Sequence, residues 1–191
     1  MKFAEGYLND LKRVLDAIPK EEIGKISELI YEAYKNGRQI FILGNGGSAA
    51  TASHFACDLG KNTIKDFNNP DEKRLKVISL TDNQALITAI ANDISYDDVF
   101  SEQLANLVKE GDIVIGISAS GKSGNVLKAI KLASKKGAVT IGLAGFDGGT
   151  LKDITDYNIV VPVKHIGKAE DAHHIIMHII CYYIKEIKLK E

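Results

Sequence analysis

Short apolar runs alternate with longer helical patterns through most of the 191-residue chain, and this alternation constrains the fold more than any other feature. Near-continuous apolar runs rich in β-branched residues, such as 112-DIVIGIS-118, are typical of strands buried on both faces. Strands separated by helices indicate a parallel sheet with helices on both sides. We therefore predict a doubly wound α/β fold with a mainly five-stranded parallel sheet. The predicted strands are 39–43, 75–80, 112–118, 138–144 and 158–163, and the helices among them are 47–60, 83–92, 97–109, 123–136 and 168–188.

Two further helical patterns precede the first predicted strand. Residues 2–18 place apolar side chains at helical spacing, and Pro19 ends this pattern. Residues 20–36 carry a second apolar stripe, which Gly37 terminates. We expect one domain over residues 1–191, with an α/β core at 38–191. Residues 1–37 are interpreted as oligomerisation helices, because their apolar stripes exceed what one sheet would cover.

Charge and composition exclude several classes of partner. The formal net charge is −1, from 24 basic and 25 acidic residues, so neither nucleic acid nor an anionic membrane is expected as a partner. No apolar run approaches the roughly 20 residues of a membrane span. The two cysteines, Cys57 and Cys181, do not make a disulfide framework, which favours a cytoplasmic location. The segment 185-KEIKLKE-191 alternates lysine with glutamate or apolar residues and predicts a solvated helix end.

A glycine-rich turn, 44-GNGGSAATASHFACDLG-60, follows the first predicted strand. Its glycines allow a sharp turn, and Ser48 falls at the mouth of the next helix, where free N–H groups favour an anion. The spacing is neither G-x-G-x-x-G nor a Walker A loop, so a dinucleotide is not expected. The alternative is a plain strand-to-helix turn with a serine N-cap.

A second turn of this kind, 118-SASGKS-123, follows the third predicted strand. Its three hydroxyls and its backbone amides can hold a phosphate without a buried cation. Lys122 either adds charge there or faces water. Open parallel sheets bind ligands beyond the carboxyl ends of their strands. Two such turns, each after a buried strand, therefore favour a ligand site over two structural turns.

Histidines and carboxylates recur at helical spacing in two places. His54 and Asp58 are four residues apart and share a helix face, as two ligands of one metal often do. The second place is 170-EDAHHIIMHII-180, where Glu170, His174 and His178 recur every four residues. An exposed or structural role is the alternative for each group by itself, but the two together favour a metal site.

These segments together resemble the SIS (sugar isomerase) domain family. The resemblance rests on 44-GNGGSAATASHF-55 and 118-SASGKS-123, with 91-ANDISYDDVF-100, 111-GDIVIGISASGKSGNV-126 and the histidine-bearing last helix. Within that family the chain is similar to the phosphoheptose isomerases, which convert sedoheptulose 7-phosphate to D-glycero-D-manno-heptose 7-phosphate. The resemblance covers nearly the whole chain.

The resemblance implies a substrate site with two parts. It assigns the phosphate to Ser118, Ser120 and Ser123, with the backbone amide of Ala119 at a position where relatives often have threonine. It assigns the sugar hydroxyls to a second set of residues. For one of them, Asp93, the alternative is a structural role as a turn or capping residue. That set is Asn45, Gly46, Ser48, Asp93 and Glu170.

The resemblance also implies one divalent metal, usually zinc, held by His54, Asp58, Glu170 and His178. Two of these residues depart from the family pattern. Asp58 replaces a glutamate and is one methylene shorter, and Glu170 replaces a glutamine and adds negative charge. Helix geometry would also allow His174 as a metal ligand in place of one of the four. His173 is a candidate to hydrogen-bond to a metal ligand without binding the metal itself.

For the reaction, the resemblance gives the general base role to Asp58 and the general acid role to His178. Because a base that is also a metal ligand has a lowered pKa, we hypothesise either that Asp58 relays the proton through water or that Glu170 takes part of the base role. It also implies a homotetramer whose neighbouring subunits complete each active site. Two alternatives remain at this point. One is an isomerase of another phosphosugar, and the other is a non-catalytic protein that binds the replication initiator DnaA, as one relative does.

Overall fold

The structure is a computed structural model, which describes residues 1–190. Its strands and helices alternate in the predicted manner after two leading helices. The strands are β1 Gln39–Gly44, β2 Lys76–Ser79, β3 Ile113–Ser118, β4 Val139–Ala144 and β5 Tyr157–Val160. The helices are α1 Lys2–Asp16, α2 Lys20–Lys35, α3 Gly47–Lys61, α4 Gln84–Asp93, α5 Ser101–Leu107, α6 Gly124–Lys135, α7 Gly149–Ile154 and α8 Ile166–Lys190.

The five strands form one sheet in which every pairing is parallel, and this confirms the predicted fold class. The strand order is β2-β1-β3-β4-β5. From β1 the chain moves outward to β2 and then returns to the other side of β1 to form β3. Doubly wound sheets open a crevice at such a reversal, beyond the carboxyl ends of the two central strands. The turns after β1 and β3 therefore meet at one place.

Strands β1, β3 and β4 are buried on both faces, to which their side chains point alternately, whereas the edge strand β2 is partly exposed. In β1, Ile40 and Ile42 pack against α1, α2, α3 and α8, whereas Phe41 and Leu43 pack against the helices of the other face. All four side chains are fully buried. This arrangement explains the near-continuous apolar runs, since a strand covered on both faces has no polar side.

The structure differs from the predicted elements in two places. The predicted helix 97–109 is divided into a 3₁₀ turn, Tyr96–Asp98, and α5, because the Ser95 hydroxyl caps the turn at the Asp97 N–H and starts a separate element. Helix α7 was not predicted, since its six residues follow two glycines and are too few to show a helical period.

The end of α8 is also different from the prediction of a solvated segment. Lys188 is fully buried, with its Nζ 3.4 Å from Glu72 Oε1 and 4.5 Å from the centre of the Tyr34 ring. The carboxylate of Glu72 in turn accepts hydrogen bonds from the backbone N–H groups of Lys65 and Asp66. The long polar connection after α3 is therefore anchored to α8. Within residues 1–190, no helix is long and apolar enough to cross a membrane.

Candidate active site

A cavity of about 170 Å³ lies where the turns after β1 and β3 meet. Seven residues expected to bind substrate line it: Asn45, Ser48, Ser118, Ala119, Ser120, Ser123 and Glu170. The sequence analysis missed Ile117 and Ile166, which form the apolar part of the lining. Ile117 is one residue of the apolar run of β3, and Ile166 stands alone between His165 and Gly167, so no sequence signal marked either as a site residue.

The serine turn after β3 presents three hydroxyls in a compact arrangement. Ser118 Oγ and Ser123 Oγ are 3.0 Å apart, and Ser120 Oγ accepts a hydrogen bond from the Lys122 backbone N–H. Ser123 precedes α6, but its side chain makes no capping hydrogen bond to that helix. The hydroxyls therefore face the cavity beside the N-terminus of a helix, an arrangement that suits an anion.

Gly121 shapes this turn because only glycine fits its backbone. Its φ angle is +65°, and a Cβ atom built on it would lie 1.9 Å from the carbonyl oxygen of Gly148. The Gly121 carbonyl accepts a hydrogen bond from the Leu151 N–H. The serine turn is thus packed directly against the turn that leads into α7, which fixes its position.

Lys122 does not line the serine cavity. Its side chain is exposed and lines a second cavity of about 250 Å³, together with Lys164 and Asp147. Of the two alternatives left by the sequence, the structure favours a lysine that faces solvent. The serine cavity relies on hydroxyls and backbone N–H groups instead.

Asn45 is held by two residues that the sequence analysis did not single out. Asn45 Oδ1 accepts hydrogen bonds from the Tyr96 hydroxyl and from Asn125 Nδ2, both at 3.0 Å. Asn45 Nδ2 donates to Asn125 Oδ1 at 2.8 Å. These bonds fix which way the Asn45 amide faces. The only signal for Asn125 in the sequence is its place just after the serine turn, in the first turn of the helix that follows.

The two remaining candidates for sugar binding lie outside the cavity lining. Gly46 is the residue before α3 and has a φ angle of +54°. Asp93 is the exposed last residue of α4, and its carboxylate accepts a hydrogen bond from Asn92 Nδ2 at 2.8 Å. Their roles remain predictions.

The side chains of His54, Asp58 and His178 converge between α3 and α8. The Nε2 atoms of both histidines lie 3.5 Å from Asp58 Oδ2. One ligand atom from each of the three residues can be chosen so that all lie within 4.8 Å of one another. Two imidazoles and a carboxylate are the ligands that zinc and similar divalent ions prefer. We call these three residues the histidine group.

Glu170 does not belong to the histidine group within the described part of the chain. It lies eight residues, or slightly more than two helical turns, before His178 on α8, and its carboxylate rests against the first turn of α3. A Cβ atom on Gly47 would be 2.5 Å from Glu170 Oε1, so a larger residue at that position would displace the Glu170 carboxylate. A carboxylate is favoured at a helix N-terminus by the exposed N–H groups. The four predicted metal ligands are thus divided, three in the group and one in the cavity.

The other two histidines of α8 have separate surroundings. His174 Nδ1 is 3.2 Å from Thr51 Oγ1, and its ring centre is 5.6 Å from that of His54. His173 is fully buried, and within residues 1–190 neither of its ring nitrogens has a hydrogen-bond partner. Burial lowers the pKa of His173 to about 4, so this residue is neutral at physiological pH. His173 lies in the core and does not support any of the three grouped side chains by a hydrogen bond.

The histidine group is more open than the serine cavity. The side chains of His54 and His178 are 43% and 41% exposed, whereas Ser118 and Ser48 are buried. Large apolar residues are also exposed beside the group on α8 and at the start of α1. They are Ile179, Tyr182, Phe3 and Leu8.

Comparison with known proteins gives this geometry a family. The sequence profile of the SIS domain family matches residues 6–145. The chain is 37% identical over 182 residues to the phosphoheptose isomerase of Geobacter metallireducens, with 94% of each chain covered. The chain belongs to the SIS domain family and, within it, to the phosphoheptose isomerases.

Other members of the family agree over similar lengths. Phosphoheptose isomerase 1 of Campylobacter jejuni is 41% identical over 169 residues, which are 88% of each chain. The solved structure of the phosphoheptose isomerase from Neisseria gonorrhoeae superposes with a TM-score of 0.88 at 30% identity, with 97% of this chain and 98% of that chain covered. The similarity therefore extends beyond the profile match to the leading helices and to α8.

Proposed function

We propose that the protein is a phosphoheptose isomerase, which interconverts sedoheptulose 7-phosphate and D-glycero-D-manno-heptose 7-phosphate. The observation that carries this proposal is that α3 and α8, which hold the histidine group, also supply Ser48 and Glu170 to the cavity lined by serine hydroxyls. One end of a phosphorylated sugar can be held as an anion while its other end meets groups able to move protons. The family membership supports the same activity.

The serine turn would bind the phosphate. Ser118, Ser120 and Ser123 offer hydroxyl donors, and the amides at Ala119 and at the start of α6 add further N–H groups. Phosphate held in this way places the sugar chain across the cavity towards α3. A fixed phosphate positions the reacting carbons and so lowers the entropic cost of reaching the transition state.

Asn45, with Ser48, would bind the sugar hydroxyls. Because Asn45 Oδ1 already accepts two hydrogen bonds, the amide offers the sugar its remaining N–H as a donor. Ser48 is buried at the start of α3 and lines the same cavity. Gly46 and Asp93 complete the proposed sugar-binding set from outside the lining, together with Glu170 within it.

The isomerisation moves a hydrogen between the first two carbons through an enediol. In the direction from ketose to aldose, Asp58 removes a proton from C1 and returns it to C2. His178 donates a proton to the oxygen on C2 and accepts one from the oxygen on C1. Both groups belong to the histidine group, and Glu170 is the other carboxylate close enough to the cavity to share the base role.

We assign a divalent metal, with zinc as the first choice, to His54, Asp58 and His178. The residues fit this assignment because their ligand atoms already converge and are of the types that zinc prefers. Bound there, the ion would polarise the carbonyl bond of the substrate as a Lewis acid. Glu170 remains the candidate for a fourth ligand, and His174 the substitute.

We also propose a cytoplasmic homotetramer in which neighbouring subunits cover the histidine group. The half-exposed histidines and the exposed apolar residues of α1 and α8 support this assembly. The free cysteines, Cys57 and Cys181, support the reducing compartment.

The direct test incubates the purified protein with sedoheptulose 7-phosphate and follows the aldose by NMR. One sample is stripped with a chelator and another is stripped and reloaded with zinc. We expect turnover in the reloaded sample and its loss in the stripped one. Fructose 6-phosphate and arabinose 5-phosphate serve as comparison substrates. Faster turnover of either would assign the site to another phosphosugar, and equal turnover in both samples would remove the metal from the proposal.

A further inference from the structure

The Asp58 carboxylate has a partner outside the histidine group. Asn62 lies four residues beyond Asp58, and its Nδ2 donates a hydrogen bond to Asp58 Oδ1 at 2.8 Å. His54 lies four residues before Asp58, so the three side chains follow one another along one face of α3. The two carboxylate oxygens therefore have different neighbours. Oδ1 is bonded to Asn62, and Oδ2 faces the Nε2 atoms of His54 and His178.

We propose that Asn62 is a positioning residue, which holds the Asp58 carboxylate so that Oδ2 alone is presented to the metal and to His54 and His178. The inference rests on the proposed function, since it concerns the same metal. The terminal torsion of an aspartate is broad, so an unsupported carboxylate turns easily about its last bond. A hydrogen bond to one oxygen removes that freedom. Residues that support metal ligands in this way commonly change metal affinity when they are removed.

The position of Asn62 at the end of α3 has a simpler explanation as a helix cap, and α2 offers the comparison. Asn36 occupies the same position at the end of α2. The backbone N–H groups of Asn36 and Asn62 both donate to the carbonyl four residues earlier, at 2.9 Å. The side chain of Asn36 donates to a backbone carbonyl, that of Glu32, whereas the side chain of Asn62 donates to a carboxylate. Capping alone therefore does not account for the Asn62 side chain.

The test compares metal binding among matched variants. Asn62→Leu keeps the approximate size of the side chain and removes the donor, Asn62→Gln keeps a donor, and Asn36→Leu is the control for a lost cap. Each metal-free protein is titrated with zinc against a chromophoric chelator, and the absorption spectrum of its cobalt(II) form is recorded. We expect Asn62→Leu to weaken zinc binding roughly tenfold and to alter the cobalt spectrum. Asn62→Gln should recover part of both, and Asn36→Leu should match the wild type.

Two outcomes would overturn the inference alone. One is a zinc affinity and cobalt spectrum of Asn62→Leu equal to those of the wild type. The other is an equal loss of zinc affinity in Asn36→Leu, which would make the effect one of helix ends in general. Asn62→Ala takes the same test if Asn62→Leu does not fold by circular dichroism. A wild-type protein that binds no zinc, or whose zinc binding survives His54→Ala, would overturn the metal assignment itself and the inference with it.

Discussion

The two halves of the candidate site are built to different degrees of closure. In the serine turn after β3, Ser118, Ala119 and Gly121 are buried and Ser120 is exposed at the rim, and the turn is packed against the turn before α7 through Gly121 and Gly148. The histidine group is carried by two long helices and has both imidazoles about two-fifths exposed. The serine turn is formed by segments at the strand ends of one chain. The histidine group lies on helix faces that remain exposed to solvent.

Under the proposed function, this difference means that binding and chemistry depend on different parts of the fold. The serine turn inherits its shape from the sheet, which the core on both faces keeps rigid. The histidine group depends on how α3 and α8 lie against each other and on whatever covers their outer faces. Changes in the first half should alter the binding of the phosphate, and changes in the second should alter turnover.

The largest expected effect lies in the histidine group. Asp58→Asn keeps the shape of the side chain and removes its basicity, so turnover of sedoheptulose 7-phosphate should fall roughly 10²- to 10⁴-fold. The KM should change far less, because the phosphate is held elsewhere. Steady-state kinetics checks this, with zinc content measured for both proteins. Full activity in Asp58→Asn would show that the base lies elsewhere, and Glu170→Gln would then be tested in the same assay.

The mirror experiment concerns the serine turn. Ser120→Ala removes one donor to a charged group, a loss of about 1.5–3 kcal/mol, so the KM should rise roughly 10- to 100-fold with kcat little changed. Ser134 is exposed on α6, away from the cavity, and Ser134→Ala is the control. If Ser120→Ala lowers kcat and leaves the KM unaltered, the proposal that the serine turn binds substrate while the histidine group carries out the chemistry is wrong.

A smaller effect should follow from disrupting the proposed contacts between subunits. Leu8 is 56% exposed on α1, and Leu8→Glu should weaken subunit association at least tenfold, since burial of a leucine contributes about 1.5–3 kcal/mol. Light scattering against concentration measures the association, and Asn9→Glu places the same charge on the next, also exposed, position. We expect kcat to fall as the assembly dissociates. An unchanged mass for Leu8→Glu would place the interface on other residues.

The smallest effect concerns acid. The backbone N–H groups of Asp66 and Lys65 lower the pKa of Glu72 to about 2. Because the unfolded carboxyl has a higher pKa, its ionised form favours the folded state above about pH 4.5, and this contribution is lost as the pH falls towards 2. The protection of the Lys65 and Asp66 amides against hydrogen exchange, measured relative to the intrinsic rate at each pH, should therefore fall over this range before that of the Gly121 amide. In Glu72→Gln these two amides should exchange faster at neutral pH and show less change with acid. If the exchange of these amides depends on acid equally in the wild type and in Glu72→Gln, the acid dependence arises from groups other than Glu72.

The fold was predictable because a parallel sheet covered on both faces requires a recognisable sequence pattern. Strands buried on both faces require apolar runs such as 112-DIVIGIS-118, and the structure has β3 there. The convergence of the two turns followed from the general behaviour of parallel sheets. The 3₁₀ turn at Tyr96–Asp98 and helix α7 were not predictable, because elements this short carry no hydrophobic period.

The site was predictable where residue spacing within one helix determines contact. His54 and Asp58 share a helix face by their spacing, whereas only the resemblance grouped His178 with them, and in the structure the three side chains converge. The place of Glu170 was not predictable, since it depends on how closely α8 approaches Gly47 at the start of α3. Lys188 was expected in solvent for a similar reason. A local charge pattern does not show that Lys188 contacts Glu72 and the Tyr34 ring, which are distant from it in the sequence.

The contact between Gly121 and Gly148 has a consequence for how this protein can vary. Each turn leaves space only for the backbone of the other turn. Substitutions in the two segments are therefore expected to be coupled, in evolution and in engineering. A serine turn transplanted alone from a distant relative would meet the wrong neighbour. Changes in ligand preference are therefore expected to arise through paired replacement of 118–124 and 145–151, or through the helix faces, where single substitutions meet fewer obstacles.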